Sequence, residues 1–547
     1  MSKYDTKHID HPVLRDIPTS LGELKHRFLT QPYREITILN PPEKSNVVDE
    51  DTELAPVNER TGMDKYWAIV TTGAGLFSDG YINNSISTVS LCLSLIYGDQ
   101  YTNSRAIQNV SSIAFAGTVV GQLSFGYIAD YYSRKAAMLI GTTMLILLSI
   151  LCAGAWGVGT TGTNAGGLFA AITAYRFFLG IAIGSEYSSS SPAAAEASNL
   201  LPAGKRNRYF CLFTNFMIDF GFVISAFVPM VLLWICTPKH LTPVWRITIG
   251  LGALPPITLF YFRLKYKESA AFRKTKFRKV MPYWRLIKFY WFRLAVVSII
   301  WFLYDFSAYA FGTYSSIIIN IVLGEDASLY KTFGWNVVFN LFYIPGAFLG
   351  AFSADWFGPR NTLFVGLLLQ AALGYIMAGC LEHLRQHIAG FVVVYGIFMT
   401  LGEFSAGDNI GLLASKAFSV PVRGTLYGFA AAIGKVGAFV GSYVFPDIIK
   451  NAGGYDTTTG LQAPYWVASS LCIFSALLGY FFLPDVDQEA SMEEDVKFLE
   501  YLKSTGYDIS QLGYDNETKI KLDISDSSPS SDGDMKLNTK DETFELH

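Results

Sequence analysis

Seven ionisable side chains lie in stretches of this sequence that are otherwise apolar. They are Asp79 in LFSDGYINNS, Glu186 in GSEYSSSS, Asp219, Asp305 in WFLYDFSAYAFG, Glu403 and Asp408 in LGEFSAGDN, and Lys435 in GFAAAIGKVGAFVG. A charge at the centre of a bilayer costs about 2.5–3.5 kcal/mol on insertion scales, so several together point to a pathway for polar solutes or ions. Asp305 shares a helical stripe with Trp301, Tyr309 and Gly312, because spacings of three and four return to one face. That stripe reads as a cavity wall. Lys435 has Gly428, Ala431, Ala432, Ala438 and Ser442 on its own face, which leaves space around an ammonium too deep to reach the interface by stretching. An ammonium beside a carboxylate that can accept a proton is a receptor for an oxyanion that protonation can switch. A structural ion pair of Lys435 with Asp305 or Asp219 is the competing role.

Such residues need an apolar scaffold, and the chain supplies one. Its 547 residues are 51% hydrophobic and 16% charged, with a mean hydropathy of +0.30, too apolar for a water-soluble protein of this length. Stretches long enough to cross a bilayer lie near 66–96, 107–130, 136–156, 165–191, 208–236, 245–262, 292–322, 332–356, 362–381, 388–415, 424–448 and 463–484. They predict an all-α membrane protein with twelve transmembrane helices in two pseudo-symmetric six-helix bundles. The parts are a tail 1–64, a bundle 65–263, a basic loop 264–291, a bundle 292–484 and an acidic tail 485–547 expected to be largely disordered. Lys and Arg concentrate in the central loop, in YYSRK at 131–135 and in GKRNR at 204–208, which places these loops and both termini in the cytoplasm. Residues 1–60 have no apolar core of a cleavable signal. The six cysteines are scattered without ligand spacing, so a packing role is expected and no metal site. No nucleophile elbow, phosphate loop or metal cluster marks an enzyme, and no cofactor or nucleic-acid partner is implied. Asn83, Asn109 and Asn516 stand in glycosylation motifs, but their places in or near spans or in the cytoplasmic tail predict that none is used.

GTVVGQLSFGYIADYYSRK (117–135) and GAFLGAFSADWFGPR (346–360) share spaced glycines, an aspartate and then a basic residue, so the first half repeats in the second. The glycines let helices approach closely. Asp130 and Asp355 fall at helix ends, where Arg134, Lys135 or Arg360 can pair with them as a gate latch. AAEAS followed by Pro202 and Arg206/Arg208 corresponds to LLAS followed by Pro421 and Arg423. Asp219 and Lys435 then stand at nearly symmetric depths, each roughly 16–18 Å along its helix. Repeated halves with charges at mid-depth suit an alternating-access transporter, whose site lies where the repeats meet.

GQLSFGYIADYYSRK resembles the loop signature between the second and third helices of the major facilitator superfamily. RFFLGIAIGSEYSSS, WFLYDFSAY and AAIGKVGA resemble its phosphate:proton symporter branch, and SDGYIN, GDNIGLLAS and SVPVRGTLYG are similar to fungal glycerophosphodiester permeases. The resemblance covers roughly residues 64–505 and implies proton-driven uptake at the plasma membrane through a site between two bundles. It implies that Tyr187, Trp301, Asp305, Tyr309 and Lys435 hold the phosphoryl group, and that Asp79, Glu186 and Asp305 serve proton movement. Phosphate symporters carry Asp where Glu186 stands and Gln near Ile218 or Asp219, which argues against inorganic phosphate as the main substrate. The family's asparagine in the tenth helix falls among Gly407, Asp408 and Asn409, with Asn409 the residue of the same type.

The expected substrate is a phosphodiester with one negative charge, matched by the single Lys435. A proton taken up by Asp305 would free the ammonium, so proton and substrate bind cooperatively. Asp219, Glu403 and Asp408, if they face the cavity, favour a choline head group, since a quaternary ammonium suits anions and aromatic faces; glycerophosphoinositol comes next. The alternatives are an inorganic phosphate:proton symporter, a polyol or sugar porter, in which a central Lys is unexpected, and a nutrient sensor signalling through the acidic tail. The partners implied are the diester, the proton and the lipid bilayer, with the protein a monomer.

Overall fold

A computed structural model describes residues 7–37, 62–199, 201, 204–269, 272, 276–277, 281–324, 328–483 and 490–509, and among them the fold is helical without strands. The twelve long helices are α1 (Leu76–Tyr97), α2 (Ala106–Tyr131), α3 (Arg134–Ala153), α4 (Leu168–Ser198), α5 (Arg206–Cys236), α6 (Leu241–Lys265), α7 (Tyr283–Leu323), α8 (Leu329–Trp356), α9 (Pro359–Leu384), α10 (Ile388–Ala417), α11 (Val420–Asn451) and α12 (Thr458–Phe482). Eleven of them, α2 to α12, are long and apolar enough to cross a membrane. α1 falls short of that hydropathy because Asp79, Asn83, Asn84, Ser85, Ser87, Thr88 and Ser90 are turned into the protein and buried there. The expected first span is also broken: a separate helix, Gly62–Gly73, ends just before Ala74 and Gly75, and α1 restarts at Leu76.

The contacts repeat between halves. In the first half α1 packs on α5, α2 on α4 and α3 on α6; in the second α7 packs on α11, α8 on α10 and α9 on α12. The halves meet through α2 against α11, α5 against α8 and α1 against α7. Side chains such as Leu147, Ile150, Leu151 and Phe178 remain exposed on the outer surface, the arrangement of a multi-pass protein with lipid around it.

Close approach of backbones explains the glycines. A Cβ on Gly117 would lie 1.9 Å from the Phe177 carbonyl oxygen, and one on Gly441 2.0 Å from that of Phe306. Gly441→Ala is therefore expected to force α7 and α11 apart, at about 1–3 kcal/mol. A lower melting temperature of the purified protein, together with weaker function, would register it, because Asp305 and Lys435 lie on those two helices.

Two expected boundaries move. α7 starts at Tyr283, inside the loop expected to run to 291, because Leu286, Phe289, Tyr290 and Arg293 form a buried stripe. The tail from 485 opens with α13 (Ala490–Ser504), whose Phe498, Tyr501 and Leu502 are buried against Phe289 and Tyr290; residues 510–547 lie outside the described residues. Arg293 donates to Glu494 of α13 at 3.0 Å and to Asp16 at 2.8 Å, so both tails clasp the start of α7. Burial alone would raise the Asp16 carboxyl, but the guanidinium groups of Arg293 and Arg15 hold it below the ordinary value.

Candidate functional site

Between the halves lies a cavity lined from one half by Asn83, Tyr187 and Asp219 and from the other by Trp301, Asp305, Tyr309, Glu403, Asp408 and Lys435. Helical periodicity delivers these side chains to one wall: Trp301, Asp305, Tyr309 and Gly312 all line it, as their three- and four-residue spacing requires.

The charged end is continuous. Lys435 Nζ lies 3.3 Å from Asp305 Oδ2 and donates to the Tyr309 hydroxyl at 2.5 Å. The same ammonium sits 3.7 Å from the Tyr309 ring centroid and 4.8 Å from that of Tyr187, within cation–π range. The Tyr187 and Tyr309 hydroxyls are 3.3 Å apart, and Tyr187 donates to the Asp79 carboxylate. Asn83 donates to Asp79 as well, at 2.5 Å. A chain of polar contacts thus runs from Asp79 on α1 through Tyr187 on α4 and Tyr309 on α7 to Lys435 on α11. Trp301 covers it, with its ring against Gly434 and edge-on to Tyr427, centroids 5.4 Å apart.

Glu403, Asp219 and Asp408 line the same cavity beside Tyr304, Tyr343 and Phe222. Glu403 accepts from the Tyr304 hydroxyl at 2.8 Å and from Asn215 at 3.0 Å. Asp219 is wholly buried, and neither of its oxygens accepts a hydrogen bond. Its charged neighbours are Glu403 and Asp408, so it is not the counterion of Lys435.

Three expected placements need correction. Glu186 faces away from the cavity, in a two-oxygen ion pair with Arg263 at 2.5 and 2.6 Å, which Ser190 and Thr142 support. Adjacent residues on a helix point about 100° apart, so Tyr187 enters the cavity while Glu186 leaves it. Asn409 turns back on its own helix, donating to Ser405 O at 2.8 Å and Phe404 O at 3.1 Å, and does not line the cavity; Asn83, Asn84 and Asn215 do. Asp355 pairs with Arg208, Nε to Oδ2 2.7 Å, while Arg360, expected to pair with it, lies near the Tyr480 ring and the Leu483 carbonyl.

At the end carrying both tails, each of the two repeat aspartates caps a helix of the opposite half. Asp130 accepts from Gly424 N at 3.1 Å and Thr425 N at 2.6 Å, at the start of α11. Asp355 accepts from Asn207 N at 3.2 Å and Arg208 N at 3.3 Å, at the start of α5. Carboxylates there satisfy orphan donors and complement the helix dipole. Arg134 lies 3.6 Å from Asp130 and also pairs with Glu196, which stands 3.8 Å from Arg423. At the other end the buried seam between halves is built of neutral polar contacts, Ser87 meeting Ser315 and Ser316 at 3.0 and 2.9 Å and Asn84 donating to Asn340 at 2.8 Å, with one exposed pair, Arg105 to Asp447 at 3.6 Å, at its rim. Asp130→Asn and Asp355→Asn are each expected to weaken the charged seal by about 1 kcal/mol, roughly fivefold, and nearly additively. Faster thiol labelling of buried Cys211, followed by mass spectrometry, would show it.

Reading the sequence alone missed Arg263, Glu196, Tyr304 and Asn215 as members of these networks. AAEAS contained the signal for Glu196, an acid in an alanine run otherwise matched to LLAS.

Comparison with known proteins gives concordant results. The profile of the sugar (and other) transporter family matches residues 67–281 and again residues 271–498. The chain is 53% identical over 506 residues to the glycerophosphocholine permease GIT4 of Candida albicans, covering 91% of this chain and 93% of that protein. It is 51% identical over 524 residues to the major glycerophosphoinositol permease GIT3 of the same organism, covering 94% and 96%. Among solved structures, the proton:xylose symporter XylE bound to 6-bromo-6-deoxy-D-glucose superposes with a TM-score of 0.65 at 17% identity, covering 80% of this chain and all of that one; this likeness concerns the fold alone.

Proposed function

The chain belongs to the sugar (and other) transporter family of major facilitator proteins, and from that premise we propose that it takes up glycerophosphodiesters with protons across the plasma membrane. The observation that carries the proposal is the Lys435 ammonium held between Asp305 and Tyr309 at the meeting of the two halves. In the empty site Asp305 satisfies the ammonium. A proton on Asp305 breaks the pair, and the freed Nζ, with the Tyr187 and Tyr309 hydroxyls and the Trp301 indole, receives the phosphodiester oxygens. Asp79, hydrogen-bonded to Tyr187, carries the second link of proton movement; Glu186 serves structure through Arg263. Both termini and the clasp lie on the cytoplasmic side, and the Asp130 and Asp355 caps form the inner gate, released when the halves rock.

Glycerophosphocholine is the favoured substrate and glycerophosphoinositol the next, because Asp219, Glu403 and Asp408 face the cavity beside aromatic walls that suit a quaternary ammonium. Inorganic phosphate would bring more negative charge to three carboxylates. The test is a panel of labelled diesters and phosphate in a host without its own diester uptake, with and without a proton uncoupler. Uptake of both diesters, choline ahead and both abolished by the uncoupler, is expected; phosphate uptake alone would overturn the reading.

A further inference from the structure

The two halves build one acidic position twice and finish it differently. EYS at 186–188 and EFS at 403–405 each open a turn of π-helix, Glu186–Ser190 and Glu403–Gly407, and each is followed by an Ala-Ser pair ending at Ser198 and Ser415. Opposite Glu186, α6 carries YFRL and supplies Arg263; the matching stretch of α12 reads YFFL, with Phe482 where the arginine would be. The protein provides the cation for Glu186 and withholds it from Glu403. Among the described residues no Lys or Arg forms an ion pair with Glu403, Asp219 or Asp408, and the unbonded, wholly buried carboxylate of Asp219 lines the same cavity. The groups facing them are Asn215 from α5, Tyr304 and Asp305 from α7, Tyr343 from α8 and Lys435 from α11; Lys435 is taken by Asp305.

Carboxylates closed off from water must be neutralised or paid for in desolvation. We propose that this pocket is a cation-balancing site, occupied by the quaternary ammonium of a choline diester and by a proton when the head group is neutral. The inference rests on the diester-uptake reading above. It makes proton coupling depend on the head group. Glycerophosphocholine is a zwitterion, whereas glycerophosphoinositol carries the phosphodiester charge alone. The proton that replaces the ammonium comes from the outer solution, sits on the acidic pocket during transport and leaves to the inner solution with the substrate. About one more proton therefore accompanies the inositol diester, while the net charge moved per molecule is the same for both.

The experiment uses the full chain in proteoliposomes, with labelled glycerophosphocholine and glycerophosphoinositol, an internal pH dye and a potential-sensitive dye. Expected are a proton-to-substrate ratio higher by about one for the inositol diester and equal charge per substrate. Equal proton ratios for two transported diesters would overturn the inference and leave the uptake reading standing; transport of neither would remove both. In Asp219→Asn/Glu403→Gln the two ratios should converge, with choline-diester uptake reduced more than inositol-diester uptake, and a ratio difference that persists there would also overturn it. The wild-type comparison stands even if that variant does not fold.

Discussion

A Lys435→Ala variant is expected to take up no diester above background, a loss of at least about a hundredfold, with the protein still detected at the cell surface. Truncating one partner of a buried, hydrogen-bonded charge pair costs about 2–5 kcal/mol, and here the group lost is also the proposed phosphoryl partner. Its Nζ is 3.3 Å from Asp305 and 2.5 Å from the Tyr309 hydroxyl, so removal leaves Asp305 buried without a counterion. Lys435→Ala/Asp305→Asn separates the two effects: the amount of folded protein should recover and uptake should not. Lys435→Arg should rescue poorly, because a planar fork does not replace a compact ammonium 3.7 Å from a ring centroid. Labelled uptake normalised to surface protein measures all three, and normal uptake by Lys435→Ala would place the phosphoryl group elsewhere.

Arg263→Ala should have the larger effect on stability. Glu186 and Arg263 are each about 1% exposed and joined through both carboxylate oxygens. Breaking such a pair from one side costs about 3–5 kcal/mol, a large part of the 5–15 kcal/mol that holds a typical folded protein together. Most of the protein should therefore be missing from the monodisperse fraction in size-exclusion chromatography of detergent extracts. Glu186→Gln/Arg263→Met should restore it, since replacing both members of a buried pair is close to neutral, and the restored protein should still couple uptake to protons. A folded double variant that has lost its coupling would return Glu186 to the proton path.

How far these networks can be read from residues alone depends on what makes each one visible. Asp305 and Lys435 stand out because nothing near them in sequence excuses a charge at that depth, and helical spacing alone puts Asp305 among Trp301 and Tyr309. The repeated glycine–aspartate stretches announce the doubled architecture. Arg263 is hidden by its company: it opens a run of lysines and arginines that reads as a solvated loop, yet α6 continues to Lys265 and buries it. The partner of Asp355 is hidden by distance. Arg360 is five residues away in sequence, but a carboxylate at the end of α8 points across to the start of α5, where Arg208 and two backbone donors wait. Asn409 misleads for a third reason, since residue type matches while the π turn before it changes the direction of the side chain.

Those turns have one more consequence. A π turn holds one residue beyond what an α turn needs, so deleting a single residue between 186 and 190, or between 403 and 407, would let that turn close into regular α-helix with the downstream faces kept, whereas the same deletion in an ordinary α turn would rotate them by about 100°. The surplus residue occurs at the same point in both halves. The two glutamates therefore open equivalent turns, and what tells them apart is the company each keeps, Arg263 for Glu186 and Tyr304 with Asn215 for Glu403.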